Sequence, residues 1–352
     1  MADFRIYFRQ LLESTFISAK GSRIDIFNGM ISFLNKVIPI IPERLFRYRN
    51  INEHTLGAFE NGTISVCKAK CFSDKYDSLI YVDVENELVK CRDASILALR
   101  QVLIDIKNKN PQIRTDRASR ICYFIEQGMS DEEIIDRLFK EQIGKDLIEQ
   151  SKELKHTESR FRDSEKTARI GCFTESVQSK FMWDTYAGGY SGFALEYNLK
   201  ELFIKSYNDS IPTYVFPVIY TDERPDLTAD EANYYVFTKL DEKGKLNMLE
   251  PLRPLLDLNL LSPHKPYLYK DKEEYGHERE WRLLHYEKVN TDDYMEISDL
   301  GCLKAIYYGP DIKEDDYEKL HQIASRKGIA EYKVSIDENS RKYSLKIDLL
   351  EQ

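Results

Sequence analysis

The stretch EEYGHEREWRLLHYE, residues 273–287, decides the fold assignment because it sets two glutamates beside a tryptophan and two leucines. Side chains two positions apart share one face of a β-strand, whereas on a helix they diverge. On a strand, Glu278, Glu280 and Arg282 point to one side and Trp281 points to the other. We therefore predict a strand with an acidic and basic site on one face. A helix would instead make the same residues an ordinary solvated surface.

Two glutamates on one strand face repel each other unless cations or hydrogen-bond donors balance them. The candidate balancing groups are Arg282, on the same face, and Arg47 or Arg49 from a distant segment. The alternative interpretation is an exposed strand edge with cross-strand salt bridges, and the motif alone does not separate the two.

A second candidate strand, LFRYR at residues 45–49, alternates apolar or aromatic residues with basic ones. Arg47 and Arg49 then lie on one face, where their planar guanidinium groups offer a doubly donating grip for a phosphate. The alternative is an edge strand whose arginines are solvated.

The segment CFTESVQSKFMWDTYAGGYSGFALEY, residues 172–197, combines aromatic, hydroxyl and glycine residues. Trp183 and Tyr186 offer aromatic faces on a predicted helix, and Thr174 and Ser176 place hydroxyls at the end of a predicted strand. A flat ligand such as nicotinamide or a base could stack there. The alternative is a helix that docks its aromatic face into the core.

Two aspartates, Asp74 and Asp77, follow a predicted strand in the segment CFSDKYDS, residues 71–78. Aspartate commonly starts turns and caps helices through bonds to nearby backbone groups, which favours a structural role. A metal-binding role requires further carboxylates nearby in space.

The composition is that of a folded protein, because 42% of the 352 residues are hydrophobic and 32% are charged. The net charge of −9 argues against general adhesion to nucleic acid or to an anionic membrane, so any polyanion must be met locally. One basic run is a candidate for such a contact, or simply a solvated face. It consists of Lys107, Lys109, Arg114, Arg117 and Arg120.

The six cysteines are scattered and form no CxxC pair, which predicts reduced thiols and no metal site. The beginning of the sequence lacks a leader pattern, and no stretch approaches 18 apolar residues. We expect a cytoplasmic protein that makes no contact with a membrane.

Hydrophobic periodicity divides the chain into three regions. Residues 1–42 predict two short helices, and residues 85–165 carry dense charge and helical apolar spacing, with a capping box at Ser130. Predicted strands flank this block on both sides, at LFRYR and residues 64–72 before it and at ARIGCFTES, SGFALEYN, TYVFPVIYT and EREWRLLHYEKV after it. We therefore predict one α+β domain, formed by residues 43–84 and 166–350, with N-terminal helices and a helical insertion.

Several of these motifs follow one another in the order of a known family. LFRYR, F-x-D-x-x-D, CFTES with MW-x-x-Y, E-x-EWR and L-x-x-IYYGP resemble a widespread uncharacterised bacterial domain family over residues 43–336. That family in turn resembles distant ADP-ribosyltransferases, which carry an Arg or His strand, a Ser/Thr-rich strand followed by an aromatic residue, and an E-x-E or Q-x-E strand. The resemblance implies a split antiparallel or mixed sheet of ADP-ribosyltransferase type.

The resemblance also implies a function, namely that of a toxin or effector of phage-defence systems. Such a protein uses NAD as its substrate, modifies a nucleic acid or a protein, and is kept silent by an antitoxin or another regulatory partner. The matching site residues are Glu280 and Glu278 as catalytic carboxylates, with Arg47, Tyr48, Arg49, Thr174, Ser176, Trp183 and Tyr186 binding NAD. Asp74, Asp77 and Arg282 are further candidates.

This residue set suits cleavage of the bond between nicotinamide and ribose. The transition state resembles an oxocarbenium ion, and a carboxylate bonded to the ribose 2′-hydroxyl stabilises its developing positive charge. Glu280 would be that carboxylate, and Glu278 would position the acceptor or take its proton.

Two other functions use the same residues differently. A metal-dependent nuclease or phosphoesterase would hold Mg²⁺ or Mn²⁺ with Asp74, Asp77, Glu278 and Glu280. A non-catalytic interaction module would use all of these residues for packing and capping. A nucleotide or metal ion that binds only the native state must raise the melting temperature, which separates the three hypotheses.

Overall fold

The computed structural model describes residues 4–18, 23–108, 116–143, 168–206, 213–230, 257–286 and 292–350. Its architecture is mixed α+β, with one large and mostly antiparallel sheet against which helices pack.

The strands agree with the alternating segments of the sequence, and the predicted strands at LFRYR, CFTES, FALEY and EWRLLH are confirmed. In chain order they are β1 (Phe16–Ser18), β2 (Leu45–Arg49), β3 (Thr63–Cys67), β4 (Arg169–Thr174), β5 (Phe193–Tyr197), β6 (Thr213–Pro217), β7 (Ile219–Thr221), β8 (Asp257–Asn259), β9 (Tyr269–Asp271), β10 (Glu280–His285), β11 (Tyr294–Ser298), β12 (Leu303–Tyr308), β13 (Ala330–Ile336) and β14 (Leu345–Leu349).

The helices occupy the N-terminal region, the predicted insertion and the connections between strands. They are α1 (Phe4–Ser14), α2 (Arg23–Val37), α3 (Glu53–Asn61), α4 (Val84–Lys107), α5 (Asp116–Glu126), α6 (Asp131–Leu138), α7 (Lys180–Tyr186), α8 (Leu199–Ser206), α9 (Lys272–Tyr275) and α10 (Glu314–Lys327). Among the described residues, no helix has the length and apolar character needed to cross a membrane.

The large sheet divides at β4. On one edge β4 pairs with β10 along its whole length, from Glu280 opposite Thr174 to His285 opposite Arg169. The other edge is shared between two strands, because β3 pairs only at Ile170 and β2 pairs only at Thr174. The two branches, β11-β3 and β2-β5-β12-β13-β14, therefore separate and leave a gap between β2 and β3.

The position of β2 excludes the edge-strand interpretation of LFRYR. This strand lies inside the sheet, with β5 along one side and the end of β4 on the other. Phe46 and Tyr48 pack into an apolar cluster with Trp183 on one face. Because side chains alternate along a strand, Arg47 and Arg49 point to the opposite face, where the gap opens.

The N-terminal helices, which the sequence predicts, belong to the main core. Phe8 and Leu12 of α1 and Phe33 of α2 are buried against strand residues such as Phe216. Helices α1 and α2 are thus packed on the sheet.

The predicted helical block contains its own apolar cluster, built from α4, α5 and α6. The capping box at Ser130 is confirmed, since its side chain accepts from the Glu133 amide and Glu133 accepts from the Ser130 amide. Residues 144–167 of the block lie outside the described residues, and the domain boundaries stay a prediction.

Two predicted strands are shorter than expected. The alternation at residues 64–72 ends at Cys67, after which Ala69–Cys71 form a 3₁₀ turn. The segment TYVFPVIYT is two strands, because β6 pairs with β10 while β7 leaves the sheet to pair with β9. Proline lacks the backbone donor that a continuous ladder needs, and Pro217 stands at this break.

Candidate functional site

A cavity of about 330 Å³ lies at the gap where the sheet divides. Residues of β2, β3 and β4 line part of it, and residues from the segment after β3 and from β9 and β10 line another part. The topology thus brings the LFRYR, CFSDKYDS and EREW motifs to one place, although EREW, at residues 278–281, lies far along the chain from LFRYR at 45–49 and CFSDKYDS at 71–78.

The side formed by β9 and β10 holds a buried ammonium between two carboxylates. The Lys270 Nζ donates to Glu278 Oε2 at 2.8 Å and to Glu280 Oε2 at 3.1 Å. All three side chains are less than 10% exposed. The sequence analysis did not single out Lys270, because LYKDKEE has the composition of a solvated surface.

A buried arginine continues this chain of charges. The Arg282 Nε donates to Glu280 Oε1 at 2.8 Å, and its Nη1 and Nη2 donate to Asp77 at 3.0 and 2.5 Å. Arg282 was correctly expected to balance Glu280, whereas Asp77 was interpreted as a turn residue. We call Glu278, Lys270, Glu280, Arg282 and Asp77 the carboxylate wall.

Pairing keeps Glu280 and Lys270 of the carboxylate wall charged. Burial alone would raise the pKa of Glu280, but the charges of Arg282 and Lys270 lower it to about 2. Burial alone would lower the pKa of Lys270, but Glu280 and Glu278 raise it above its ordinary value. A carboxylate held ionised in this way is available to stabilise positive charge.

The two glutamates do not share a strand face, which corrects the prediction. Strand β10 begins at Glu280, Glu278 ends a 3₁₀ turn, and Arg279 between them adopts a left-handed conformation with φ of 49°. The turn is held because the Thr174 hydroxyl donates to the Glu278 carbonyl at 2.6 Å and the Glu280 amide donates to the Tyr220 hydroxyl at 2.7 Å. The carboxylates meet through this kink and not through strand alternation.

Another part of the cavity lining, which we call the arginine wall, consists of Arg47 and Arg49 of β2. The Arg47 Nη2 donates to the Ser65 carbonyl at 2.6 Å, and its Nε is buried without an acceptor. Within the described residues, neither guanidinium has a carboxylate within ion-pair distance. Burial, together with the nearby charge of Arg47, lowers the pKa of Arg49 to about 9.

Tyr186 reaches both the cavity and the carboxylate wall. Its hydroxyl donates to Glu278 Oε1 at 2.6 Å, and its side chain is 41% exposed. Burial and the neighbouring Glu278 raise the pKa of Tyr186, so the hydroxyl keeps its proton. This residue is placed where a ligand in the cavity can contact it.

Other residues predicted to bind a ligand have structural partners. Trp183 is fully buried and donates from Nε1 to the Val177 carbonyl, so it does not line the cavity. This corrects its predicted stacking role. Tyr48 borders the cavity, but its ring packs against Trp183 and its hydroxyl donates to the Ser176 carbonyl at 2.8 Å.

The hydroxyl residues of the CFTES segment do not border the cavity. Thr174 is buried and holds the carbonyl of Glu278, and Ser176 caps a local turn by accepting from the Gln178 amide. Asp74 does border the cavity, and its Oδ1 accepts from the Tyr76 amide, as expected for a turn-forming aspartate.

The basic run of the insertion is part of the solvated surface where the structure describes it. Lys107 pairs with Asp131 at 2.6 Å, and Arg120 pairs with Glu141 at 2.6 Å. The side chains of Lys109, Arg114 and Arg117 lie outside the described part of the chain.

A family model described as "Protein of unknown function (DUF2971)" matches residues 182–283. Comparisons with curated proteins and with solved structures find no match. The matched stretch contains Lys270, Glu278, Glu280 and Arg282, whereas the arginine wall lies outside it. Most of the carboxylate wall therefore belongs to a segment that is similar to an uncharacterised domain family, as predicted.

Proposed function

We propose that the cavity is the active site of an NAD-dependent ADP-ribosyltransferase that acts as a toxin or effector, as in phage defence, on a nucleic-acid or protein acceptor. This proposal rests on one observation: the same cavity is lined by the carboxylate wall and by the arginine wall. One wall presents the ionised carboxylate of Glu280, and the other presents two partly buried guanidinium groups without carboxylate partners among the described residues.

The arginine wall suits the pyrophosphate of NAD. Arginine donates in a planar fork that matches phosphate oxygens, and such bonds are strong when water is excluded. Arg47 has an unused buried donor at Nε, and Arg49 lies beside it on the same strand face. An anion bound here would replace the missing counter-charge of both side chains.

The carboxylate wall suits the ribose next to the bond that breaks. An ionised carboxylate has about four acceptor positions. Glu280 uses two of them for Arg282 and Lys270. This leaves acceptor capacity for a ribose hydroxyl, through which the negative charge of Glu280 would stabilise an oxocarbenium-like transition state.

Glu278 is placed to act on the acceptor. Its Oε1 accepts from the half-exposed Tyr186 hydroxyl, so this oxygen faces the open part of the cavity. A carboxylate at that position can orient an incoming hydroxyl or amine and take its proton as the new bond to ribose forms. Nicotinamide leaves from the opposite side of the ribose.

The cavity volume suits part of a dinucleotide. Pockets for small molecules usually span about 300–1,000 Å³, and this one lies at the lower end of that range. We infer that the cavity takes the nicotinamide riboside and the pyrophosphate, while the adenosine extends toward solvent.

The metal-dependent alternative has less support. The carboxylates of Glu278, Glu280 and Asp77 are separated by Lys270 and Arg282, which occupy the positions where a metal ion would neutralise them. Among the described residues, no group of three or more His, Cys, Asp or Glu side chains is arranged to hold a metal ion.

The proposal is tested by measuring nicotinamide release from NAD by the purified chain. We expect release by the wild type and a loss of about 10²-fold or more in Glu280→Gln, because the charge that stabilises the transition state is removed. The matched control is Glu331→Gln, a buried glutamate that bonds to Tyr308 and His321 away from the cavity. This variant should keep its activity.

Two results would contradict the proposal. One is the absence of nicotinamide release together with an unchanged melting temperature when NAD is added, as a non-catalytic module predicts. The other is full turnover in Glu280→Gln.

A further inference from the structure

The backbone just before β10 is strained, and side chains from distant segments hold it. Arg279 adopts φ of 49° and ψ of 48°, a conformation that residues other than glycine rarely take. Such strain persists only where the surroundings impose it. The contacts that impose it determine where the carboxylate of Glu280 points.

Glu175, the residue after β4, is the centre of these contacts. Its Oε2 accepts from Arg279 Nε at 2.7 Å, and its Oε1 accepts from Trp281 Nε1 at 2.9 Å. Its Oε1 also pairs with Arg5 Nη2 at 2.7 Å. One carboxylate therefore bonds to the residues on both sides of Glu280 and to the N-terminal helix.

Arg5 of α1 donates to two backbone carbonyls, one in β10 and one beside it. Its Nε donates to the Val218 carbonyl at 3.0 Å, and its Nη2 reaches the Glu280 carbonyl at 3.4 Å. The side chain is 11% exposed, and the neighbouring Phe4 ring stacks on the Trp281 indole. Helix α1 thus touches the backbone of Glu280 while the Glu280 carboxylate faces the cavity.

We infer that Arg5 and Glu175 are positioning residues that hold the Glu280 carboxylate in place for the reaction. Helix α1 therefore contributes to the activity of the site through Arg5. This inference rests on the proposed function for the reaction, but its structural claim stands on the contacts alone. Without the pair, the left-handed turn at Arg279 relaxes and the Glu280 carboxylate moves relative to a bound ribose.

The test compares Arg5→Met with Arg9→Met. Arg9 lies on the same helix and pairs with Glu13 in solvent at 2.8 Å, with about half of its side chain exposed. Because a displacement of about 1 Å in a catalytic group can cost about 10²-fold, we expect Arg5→Met to lower kcat for nicotinamide release by up to that factor with KM for NAD unchanged. Arg9→Met should match the wild type.

Two further variants separate positioning from general packing. Glu175→Gln should lower kcat as Arg5→Met does, and the double variant should lose little more than either single one, because both act through one set of contacts. Arg5→Lys should recover only part of the activity, since an ammonium does not reproduce the guanidinium fork.

Hydrogen exchange at the Glu280 amide tests the pair without relying on NAD turnover. We expect exchange about tenfold faster or more in Arg5→Met than in Arg9→Met, because local opening of the turn becomes easier. Equal exchange in the two variants overturns the inference. Faster exchange with unchanged kcat also overturns the positioning role. If the wild type releases no nicotinamide, the proposed function fails, and the exchange rates alone decide whether the pair holds Glu280.

Discussion

The two walls of the cavity differ in whether their charged side chains form ion pairs. In the carboxylate wall, Lys270 and Arg282 neutralise the carboxylates within bonding distance. In the arginine wall, Arg47 and Arg49 have no such partner among the described residues. Buried charges are costly unless they are paired. The charges of the carboxylate wall are therefore neutralised within the protein, whereas those of the arginine wall are neutralised only when an anion binds.

The largest effect is expected from breaking the paired wall. Arg282→Met leaves the buried carboxylates of Asp77 and Glu280 without their shared cation, which should lower the free energy of unfolding by about 3–5 kcal/mol. Urea denaturation measures this change. Arg326→Met, which removes an exposed pair with Glu60, is the control and should change stability little. A similar small change in Arg282→Met would contradict the paired description of this wall.

Lowering the pH should also weaken the carboxylate wall, because Glu280 becomes protonated. The pKa of Glu280 is lowered from its ordinary 4.5 to about 2, so the folded protein holds this proton less tightly than the unfolded chain does. The stabilisation is fully present above about pH 4.5 and is lost as pH falls toward 2, which corresponds to on the order of 3 kcal/mol.

The measurement is the difference in unfolding free energy between the wild type and Glu280→Gln. We expect this difference to narrow as the pH is lowered from neutral through about pH 4.5 to about pH 3. A difference that stays constant over this range would show that Glu280 is not held ionised by its neighbours.

The arginine wall should respond in the opposite direction. Arg49→Met removes a partly buried charge that lacks a carboxylate partner among the described residues, so the free energy of unfolding should rise by about 1 kcal/mol in the absence of ligand. The stabilisation of the protein by added pyrophosphate or NAD should be lost in the same variant.

Arg44→Met provides the control for this prediction. Arg44 precedes the same strand and pairs with Glu196 at 2.8 Å, outside the cavity. This variant should keep the ligand response and gain no stability. A loss of stability in Arg49→Met would indicate that Arg49 is already paired.

The smallest effect is expected at the link between the carboxylate wall and solvent. Tyr186→Phe removes one hydrogen bond to Glu278, which should lower the free energy of unfolding by about 0.5–1.5 kcal/mol and leave the fold intact. Thermal unfolding measures this change. A loss of several kcal/mol would show that Tyr186 belongs to the core and not to the edge of the site.

The sequence predicts the strands of this fold well. In LFRYR and EWRLLH the residue types alternate because successive side chains of a strand point to opposite faces. It predicts less well where backbone conformation departs from regular structure. Nothing in the residue types of EREW shows that Arg279 adopts a left-handed conformation, so Glu278 was placed on the strand. The segment TYVFPVIYT was predicted as one strand, although Pro217 in its middle is a residue that interrupts a ladder, and which strands pair on either side of it depends on the fold.

Part of the candidate site was also predicted from the sequence. Glu280, Arg282 and Arg47 were chosen because charged residues among apolar ones need a partner or a function. Lys270 was missed because a lysine among acidic residues is usually solvated, and only the fold shows that it is buried. Trp183 was chosen for its aromatic face, yet the topology turns that face into the core.

We propose that the two walls together bind and cleave NAD, and nicotinamide release by Arg49→Met is the measurement that decides this. This variant is expected to be at least as stable as the wild type, so a loss of activity cannot come from unfolding. We expect release by the wild type and a loss of about 10²-fold in Arg49→Met, together with an unchanged or higher melting temperature. Equal release by the two proteins, or none by the wild type, would contradict it.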